Sequence, residues 1–240
     1  MFHPRIISKT AFDIEKSNVS VCPNEWTASD AYEALVHSAW NDLLAHSRHS
    51  IWDGTYYRVL NLVELENETG PATLRLGTVR YRYVATFPKL YQQHADHELE
   101  PFHHLSTIAL IRTLDGHYLF GRRSRNGEVD LIGGGVQCDE LAVTCGADLE
   151  RNLFKEIHEE VGIREDDIEQ LAGIGILLSG TSNVLIVAHA NLALTRAEAL
   201  ARFAMRTDNE MSEPVFVREC ELCPMLRAMS DYRRLIPGLI

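Results

Sequence analysis

Nine consecutive residues, Lys155-Glu156-Ile157-His158-Glu159-Glu160-Val161-Gly162-Ile163, constrain this chain more than any other stretch. Side chains three and four apart on a helix are neighbours, so Glu156 lies beside Glu159 and Glu160. Leu149, Leu153, Ile157 and Val161 then form the apolar stripe that a core must cover. Like charges crowded in this way destabilise a bare helix. A bound cation reverses the sign, because Mg2+ prefers carboxylate oxygens, waters and phosphates. Acidic helix faces that end in a capping glycine such as Gly162 are also common surface features, so context has to decide. Here Val129-Asp130-Leu131-Ile132 reads as a short buried strand running straight into Gly133-Gly134-Gly135. Strand, glycine turn, loop and acidic helix form one unit, which points to a divalent-metal site acting on phosphates with Glu156, Glu159 and Glu160 as ligands.

Composition narrows the classes of partner. A formal net charge of -11 argues against binding a nucleic-acid backbone, which depends on Lys and Arg displacing counterions. A small anionic substrate remains compatible if metal ions and local arginines neutralise it. Met1-Phe2-His3-Pro4-Arg5 opens no continuous apolar stretch, so neither a signal peptide nor a membrane span is expected, and the default location is the cytoplasm. Five scattered cysteines argue against a disulfide framework. Cys220 and Cys223 form a C-x-x-C without a second pair at matching spacing, and Cys138 and Cys145 bracket the loop before the acidic helix. No mechanism is assigned to them.

Along the chain, residues 26 to 48 carry a helical pattern with Trp26, Ala31, Leu35 and Trp40, preceded by cap chemistry at Thr27-Ala28-Ser29-Asp30. Tyr56 to Leu60 and the alternating Ala72 to Ala85 read as strands, giving a small α+β N-terminal region. Phe87 to Ser106, with two prolines and His94, His97, His103 and His104, reads as a solvated connection. From Thr107 a second part begins. Ile108 to Arg112 and Tyr118 to Phe120 are strands joined by the turn Asp115-Gly116.

The basic run Arg122-Arg123-Ser124-Arg125 then leads toward the glycines. Arginine suits bidentate capture of a diphosphate; equally, Arg at a hairpin edge discourages sheet-to-sheet pairing. Not all three can face inward. Residues 170 to 179 and 183 to 194 read as a strand pair, 195 to 207 as a helix, 214 to 217 as a last strand, and 223 to 231 as a terminal helix. Tyr56, Tyr57 and Tyr81 are expected as strand aromatics without a functional role.

The acidic segment resembles the Nudix hydrolase signature, Gly-x5-Glu-x7-Arg-Glu-U-x-Glu-Glu-x-Gly-U with U aliphatic, and its second half matches from Glu156 to Ile163. Lys155 stands where the family has Arg, which keeps the charge but loses the planar fork. Strict spacing would put the signature's glycine at Leu141 and its upstream acid at Ala147, so Gly133 and Gly134 are displaced by an insertion of about seven residues. Asp148 is the nearest substitute for that acid, and it also sits where a helix-capping acid belongs. Shorter matches, Trp52 to Arg58, Leu74 to Thr78, Tyr81-Arg82, Arg122 to Arg125 and Val129-Asp130, resemble the UDP-glucose pyrophosphatase branch of that superfamily, which has an N-terminal extension and a lengthened loop before the helix.

The resemblance implies an α+β fold of Nudix type, an α/β/α sandwich with a mixed sheet. It would occupy residues 105–240, after an α+β region and linker at 1–104. It implies a metal-dependent hydrolase of a nucleoside diphosphate derivative, with UDP-glucose giving UMP and glucose 1-phosphate, and Mg2+ or Mn2+ as cofactor. The metal shell would comprise Glu156, Glu159, Glu160 and the Gly133 carbonyl. Glu159, Glu160 and Glu210 are the catalytic candidates, Glu210 standing in an acidic loop with Asp208 and Glu213 that solubility alone would also produce. Arg122, Arg123 and Arg125 are the substrate-binding candidates, and Lys155 with Asp148 would anchor the helix. The partner is a small molecule, with no nucleic acid or membrane, and a homodimer is compatible. ADP-ribose or a dinucleotide as substrate, and a non-catalytic nucleotide sensor, stay open as alternatives.

Overall fold

The computed structural model describes residues 3–25, 28–47, 51–66, 72–94 and 101–240. Its strands are β1 (Arg5–Ser8), β2 (Asn18–Glu25), β3 (Thr55–Val59), β4 (Thr73–Arg80), β5 (Leu105–Arg112), β6 (His117–Arg123), β7 (Val129–Asp130), β8 (Ile132–Gly135), β9 (Ile168–Leu178), β10 (Val184–Leu192) and β11 (Met211–Arg218). The helices are α1 (Asp30–His46), α2 (Leu62–Leu65), α3 (Tyr81–Gln93), α4 (Gly146–Val161), α5 (Arg196–Phe203) and α6 (Glu219–Ala228). A final 3-10 segment spans Asp231–Gly238.

The larger sheet runs β1-β9-β10-β5-β6-β11 and is mixed, because β10 lies parallel to β5 while the other pairs are antiparallel. Period-two alternation along β5 divides the core. Leu105, Ala109 and Ile111 join the cluster that includes Leu149, Leu153, Ile157 and Val161 of α4, whereas Ile108 and Leu110 join Leu222, Leu226 and Ile236 on the opposite face. The result is an α+β sandwich with helices on both faces of a mixed sheet. All four stripe residues of α4 are fully buried, and each such side chain contributes roughly 1.5–3 kcal/mol relative to exposure. That burial holds the helix although Glu156 and Glu160 are crowded on its other face, and Gly162 ends it in the left-handed conformation at φ 73°.

The sheet splits where the site lies. β5 pairs with β6 only at Ile111–Leu119 and Arg112–Tyr118, then diverges to pair with β8 from Ser106 to Ala109, while β6 takes β7 as its partner. The glycine strand is thereby wedged into the opening above α4.

A three-stranded sheet, β2-β4-β3, meets this wedge through β3, while α3 packs on β4 and α1 on α3. Tyr57 N donates to Val136 O at 2.9 Å, and Cys138 N to Thr55 O at 2.8 Å. β1, from the same N-terminal stretch, pairs with β9 at the edge of the large sheet.

Two segments depart from their expected form. The alternation from Ala72 to Ala85 stops being strand at Arg80, and α3 occupies much of the stretch from Phe87 onward that reads as a connection. Tyr83, Phe87 and Leu90 recur at helical spacing and bury against Val36 and Ala39 of α1. That shared apolar face outweighs Pro88. His103 and His104 are not solvated either. Ser182 Oγ and His103 Nδ1 are hydrogen-bonded at 3.0 Å, and His104 is buried, which lowers its pKa to about 4. His97, Trp26 and Thr27 lie outside the described residues. The terminal helix begins earlier than its expected start, at Glu219, so Cys220 and Cys223 both fall in its first turns.

Candidate active site

The helix, the wedge and two loops bring carboxylates and cations together at the split of the sheet. Glu160, on the last turn of α4, is 1% exposed. Its Oε2 accepts from Gly133 N at 2.9 Å and its Oε1 from Arg123 Nη1 at 3.2 Å. Glu156, one turn earlier, lies under Gly134, where an added Cβ would stand 2.3 Å from its Oε2. The glycine at that position is what lets the carboxylate reach the strand.

Glu159 is more exposed and shares Lys155 with Glu156, the Nζ standing 3.7 Å and 3.5 Å from their nearest oxygens. Glu210 comes from the loop before β11, whose backbone is pinned to the β6–β7 turn by Ser124 N donating to Glu210 O at 2.7 Å. Its carboxylate accepts from Arg123 Nη1 at 2.8 Å. Glu159, Glu160 and Glu156 thus share one face as their spacing requires, and Glu210 approaches from across the cleft.

The electrostatics follow from this crowding. Burial raises Glu160 to about 8, with Arg123 and the Gly133 N–H opposing and Glu210 and Glu156 adding. Burial raises Glu156 to about 7, with Lys155 opposing and Glu159 and Glu210 adding. A carboxyl raised in the folded state stays protonated there when the unfolded chain has already ionised. The stability it contributes is present at low pH and is lost as pH rises through the folded value. Buried His103, His104 and His189, lowered from 6.5, have the opposite slope but only below that pH.

Between pH 6.5 and about 8 the metal-free protein is therefore expected to lose stability, by up to a few kcal/mol. Millimolar Mg2+ should restore it. Thermal melts in chelator and in Mg2+ at both ends of this window check the sign. A melting temperature that rises toward pH 8 in chelator would contradict the crowding.

The arginines divide sharply. Arg122 is spent on Glu213 and on Gly127 O, at 2.5 Å and 2.8 Å, away from α4. Arg123 is spent on Glu160, Glu210 and Asp130. Arg125 is exposed and, among the described residues, makes no hydrogen bond or ion pair.

Asp148 does not meet Lys155. Its Oδ2 accepts from Thr144 N at 2.7 Å, Thr144 Oγ1 at 2.8 Å and Cys145 N at 3.2 Å, so it caps α4 and turns away from the acidic face. Lys155 pairs instead with Glu140, from the loop between β8 and α4. This corrects the expected anchor. The signal was in the chain: Gly134 is followed six positions on by Glu140, as Gly-x5-Glu requires, so the extra residues lie after that acid and not before it.

Hard oxygen donors, two of them buried and crowded beneath a glycine, suit a divalent cation of the Mg2+ class. Among the described residues no three His, Cys, Asp or Glu side chains stand close enough to enclose one as they are placed. Lys155 and Arg123 are interleaved with the carboxylates. Also among the described residues, no helix is long and apolar enough to cross a membrane.

No family model matches the sequence, and no curated protein matches it. Similar solved structures include DR0079 from Deinococcus radiodurans, at 18% identity and TM-score 0.40, over 59% of this chain and 83% of that one. The MutT protein of Methanosarcina mazei is 23% identical at TM-score 0.38, over 55% and 86%. A Nudix-family hydrolase from Clostridium perfringens is 15% identical at TM-score 0.35, over 50% and 84%. Likenesses this distant assign neither family nor activity.

Proposed function

We propose that the chain is a Nudix-type pyrophosphohydrolase that cleaves the diphosphate of a nucleoside diphosphate derivative. The observation that carries this is the pair of buried, crowded carboxylates, Glu156 and Glu160, held against Gly133 and Gly134 on a helix with the family's Glu-U-x-Glu-Glu-x-Gly-U pattern. Glu156, Glu159 and Glu160, with the Gly133 carbonyl, would hold Mg2+ or Mn2+. When bound, such an ion neutralises diphosphate oxygens and acidifies water. Glu160 takes the proton of the attacking water, its carboxylate being buried and held at the strand by Gly133 N. Arg123 orients that carboxylate and keeps Glu210 within reach as the alternative base. Lys155 and Glu140 tie the inserted loop to the helix and set the mouth of the cleft.

The short matches outside the signature favour a nucleotide sugar, with UDP-glucose yielding UMP and glucose 1-phosphate. The same chemistry would serve ADP-ribose or a dinucleotide. We further propose that residues 1–104 supply the substrate-selecting part and 105–240 the hydrolytic one, and that the protein works on a small molecule in the cytoplasm. A second reading, a nucleotide sensor without turnover, is favoured by one observation: Lys155 and Arg123 already pair with the carboxylates.

The test is phosphate release, after coupling to a phosphomonoesterase, from UDP-sugars, ADP-sugars, ADP-ribose and dinucleotides with Mg2+ and with chelator. The expected result is Mg2+-dependent cleavage with UDP-glucose preferred. Preference for ADP-ribose would move the substrate and keep the chemistry. Binding without turnover anywhere would replace the hydrolase by the sensor.

A further inference from the structure

We propose that Arg125 and the phenol hydroxyls of Tyr56 and Tyr81 form a subsite that grips the phosphoryl oxygens of an esterified diphosphate beside the carboxylate helix. The ligand class rests on the pyrophosphohydrolase reading; the subsite itself rests on placement.

Elimination isolates the arginine. Of the three in the basic run, two are held by carboxylates, and Arg125 alone keeps its donors unspent among the described residues. Its turn is clamped to the Glu210 loop by two hydrogen bonds, Ser124 N to Glu210 O at 2.7 Å and Ser124 Oγ to Asn209 O at 2.6 Å. Arg125 therefore stands at the rim of the cleft. A planar guanidinium there matches two phosphoryl oxygens in a way a lone ammonium does not.

The tyrosines come from the N-terminal layer. β3 carries Tyr56 over the glycine strand, its Cε1 2.7 Å from where a Cβ on Gly135 would stand. Tyr81 opens α3, fixed by its backbone N donating to Gly54 O at 2.8 Å. The two rings lie 5.2 Å apart between centroids, tilted by 36°.

Three other phenols of the chain are committed. Tyr57 Oη accepts from Val143 N, Tyr83 Oη donates to Glu33, and Tyr232 Oη donates to Asp130. Tyr56 and Tyr81 are half-buried and their hydroxyls have no such partner among the described residues. Burial raises both phenols, so each stays a neutral donor. Tyr56 also feels Glu140, Glu156 and Glu210, and Tyr81 feels Arg125 and Glu210. Uncommitted donors facing a carboxylate cluster are what an anion needs if it is to enter that cluster's neighbourhood.

The experiment is calorimetric titration of the full chain in Mg2+ buffer with inorganic pyrophosphate and, in parallel, UDP. It compares wild type with Arg125→Gln, Tyr81→Phe and Tyr56→Phe, and with Arg218→Gln as a matched loss of charge far from the cleft. Each of the three cleft variants is expected to weaken UDP by about tenfold, the scale of one hydrogen bond to a charged group. Their melting temperatures and the affinity of Arg218→Gln should stay at the wild-type values. On a cleaved substrate the same variants should raise KM and spare kcat.

Wild-type affinity in all three variants, or no UDP binding by wild type, would overturn the subsite. Loss confined to free pyrophosphate would overturn the esterified ligand. The two readings fail separately: Arg125-dependent UDP binding without turnover of any substrate removes the hydrolase and keeps the subsite. Turnover indifferent to all three variants does the reverse.

Discussion

Glu160→Gln is expected to lower Mg2+-dependent hydrolysis by about 10^2- to 10^4-fold, the range for losing a positioned general base, with the fold intact. Both halves follow from the local structure. The amide oxygen can still accept from Gly133 N or Arg123, so the buried position keeps a hydrogen bond. With its pKa near 8, the wild-type carboxyl is itself substantially protonated at neutral pH in the metal-free protein, and the amide resembles that neutral form. What the variant lacks is the charge and the capacity to take a proton. Initial rates beside a thermal melt check the pair. An unchanged rate in a folded variant would remove Glu160 from the chemistry, and a large fall in melting temperature would mean the residue acts through the fold.

Gly133→Ala is expected to cost about 3 kcal/mol of stability, or about 6–12 °C in melting temperature for a chain of this size. Gly133 sits at φ 141°, a conformation that side chains rarely adopt. Its added Cβ would stand 2.2 Å from Thr107 O and 2.7 Å from Ile108 Cα, both backbone of β5, which cannot step aside without breaking the β5–β8 ladder. Because Gly133 N also holds Glu160, activity should fall with stability. Gly127→Ala is the comparison. It has a positive φ of 72° but open space around the new methyl, so about 1–2 kcal/mol of left-handed strain is all it should lose. Equal losses at the two positions would show that the close approach to β5 is not what requires glycine.

The parts of this protein that were legible from its residues are those written in short-range periodicity. The stripe Leu149, Leu153, Ile157 and Val161 announces α4, and the same spacing places Glu156, Glu159 and Glu160 together on its open face. Asp115-Gly116 announces the β5–β6 hairpin, where Gly116 takes φ 78°. Apolar runs of strand length announce β9 and β10. Where two local signals conflict, reading the chain goes astray. Pro88 and the nearby histidines suggest a connection, yet Tyr83, Phe87 and Leu90 find a helical partner in α1, and the buried face prevails.

Pairings across long separations leave little mark on local patterns. Asp148 is nearer to Lys155 along the chain than Glu140 is, but the loop folds back so that Glu140 meets the ammonium and Asp148 is spent on the helix cap. Three arginines within four residues look equivalent in one dimension. In space, Glu213 takes one, Glu160, Glu210 and Asp130 take another, and Arg125 is left with its donors unspent among the described residues. Tyr56 and Tyr81 read as ordinary strand aromatics until β3 and α3 carry them to the glycine wedge. Residue order alone thus specifies the acidic helix and the glycine strand, because side-chain direction repeats with the backbone's own period. Which cation neutralises which carboxylate, and which donors remain for a substrate, depends on packing between distant segments, since charge and hydrogen bonding act over a few ångströms of space whatever the distance along the chain.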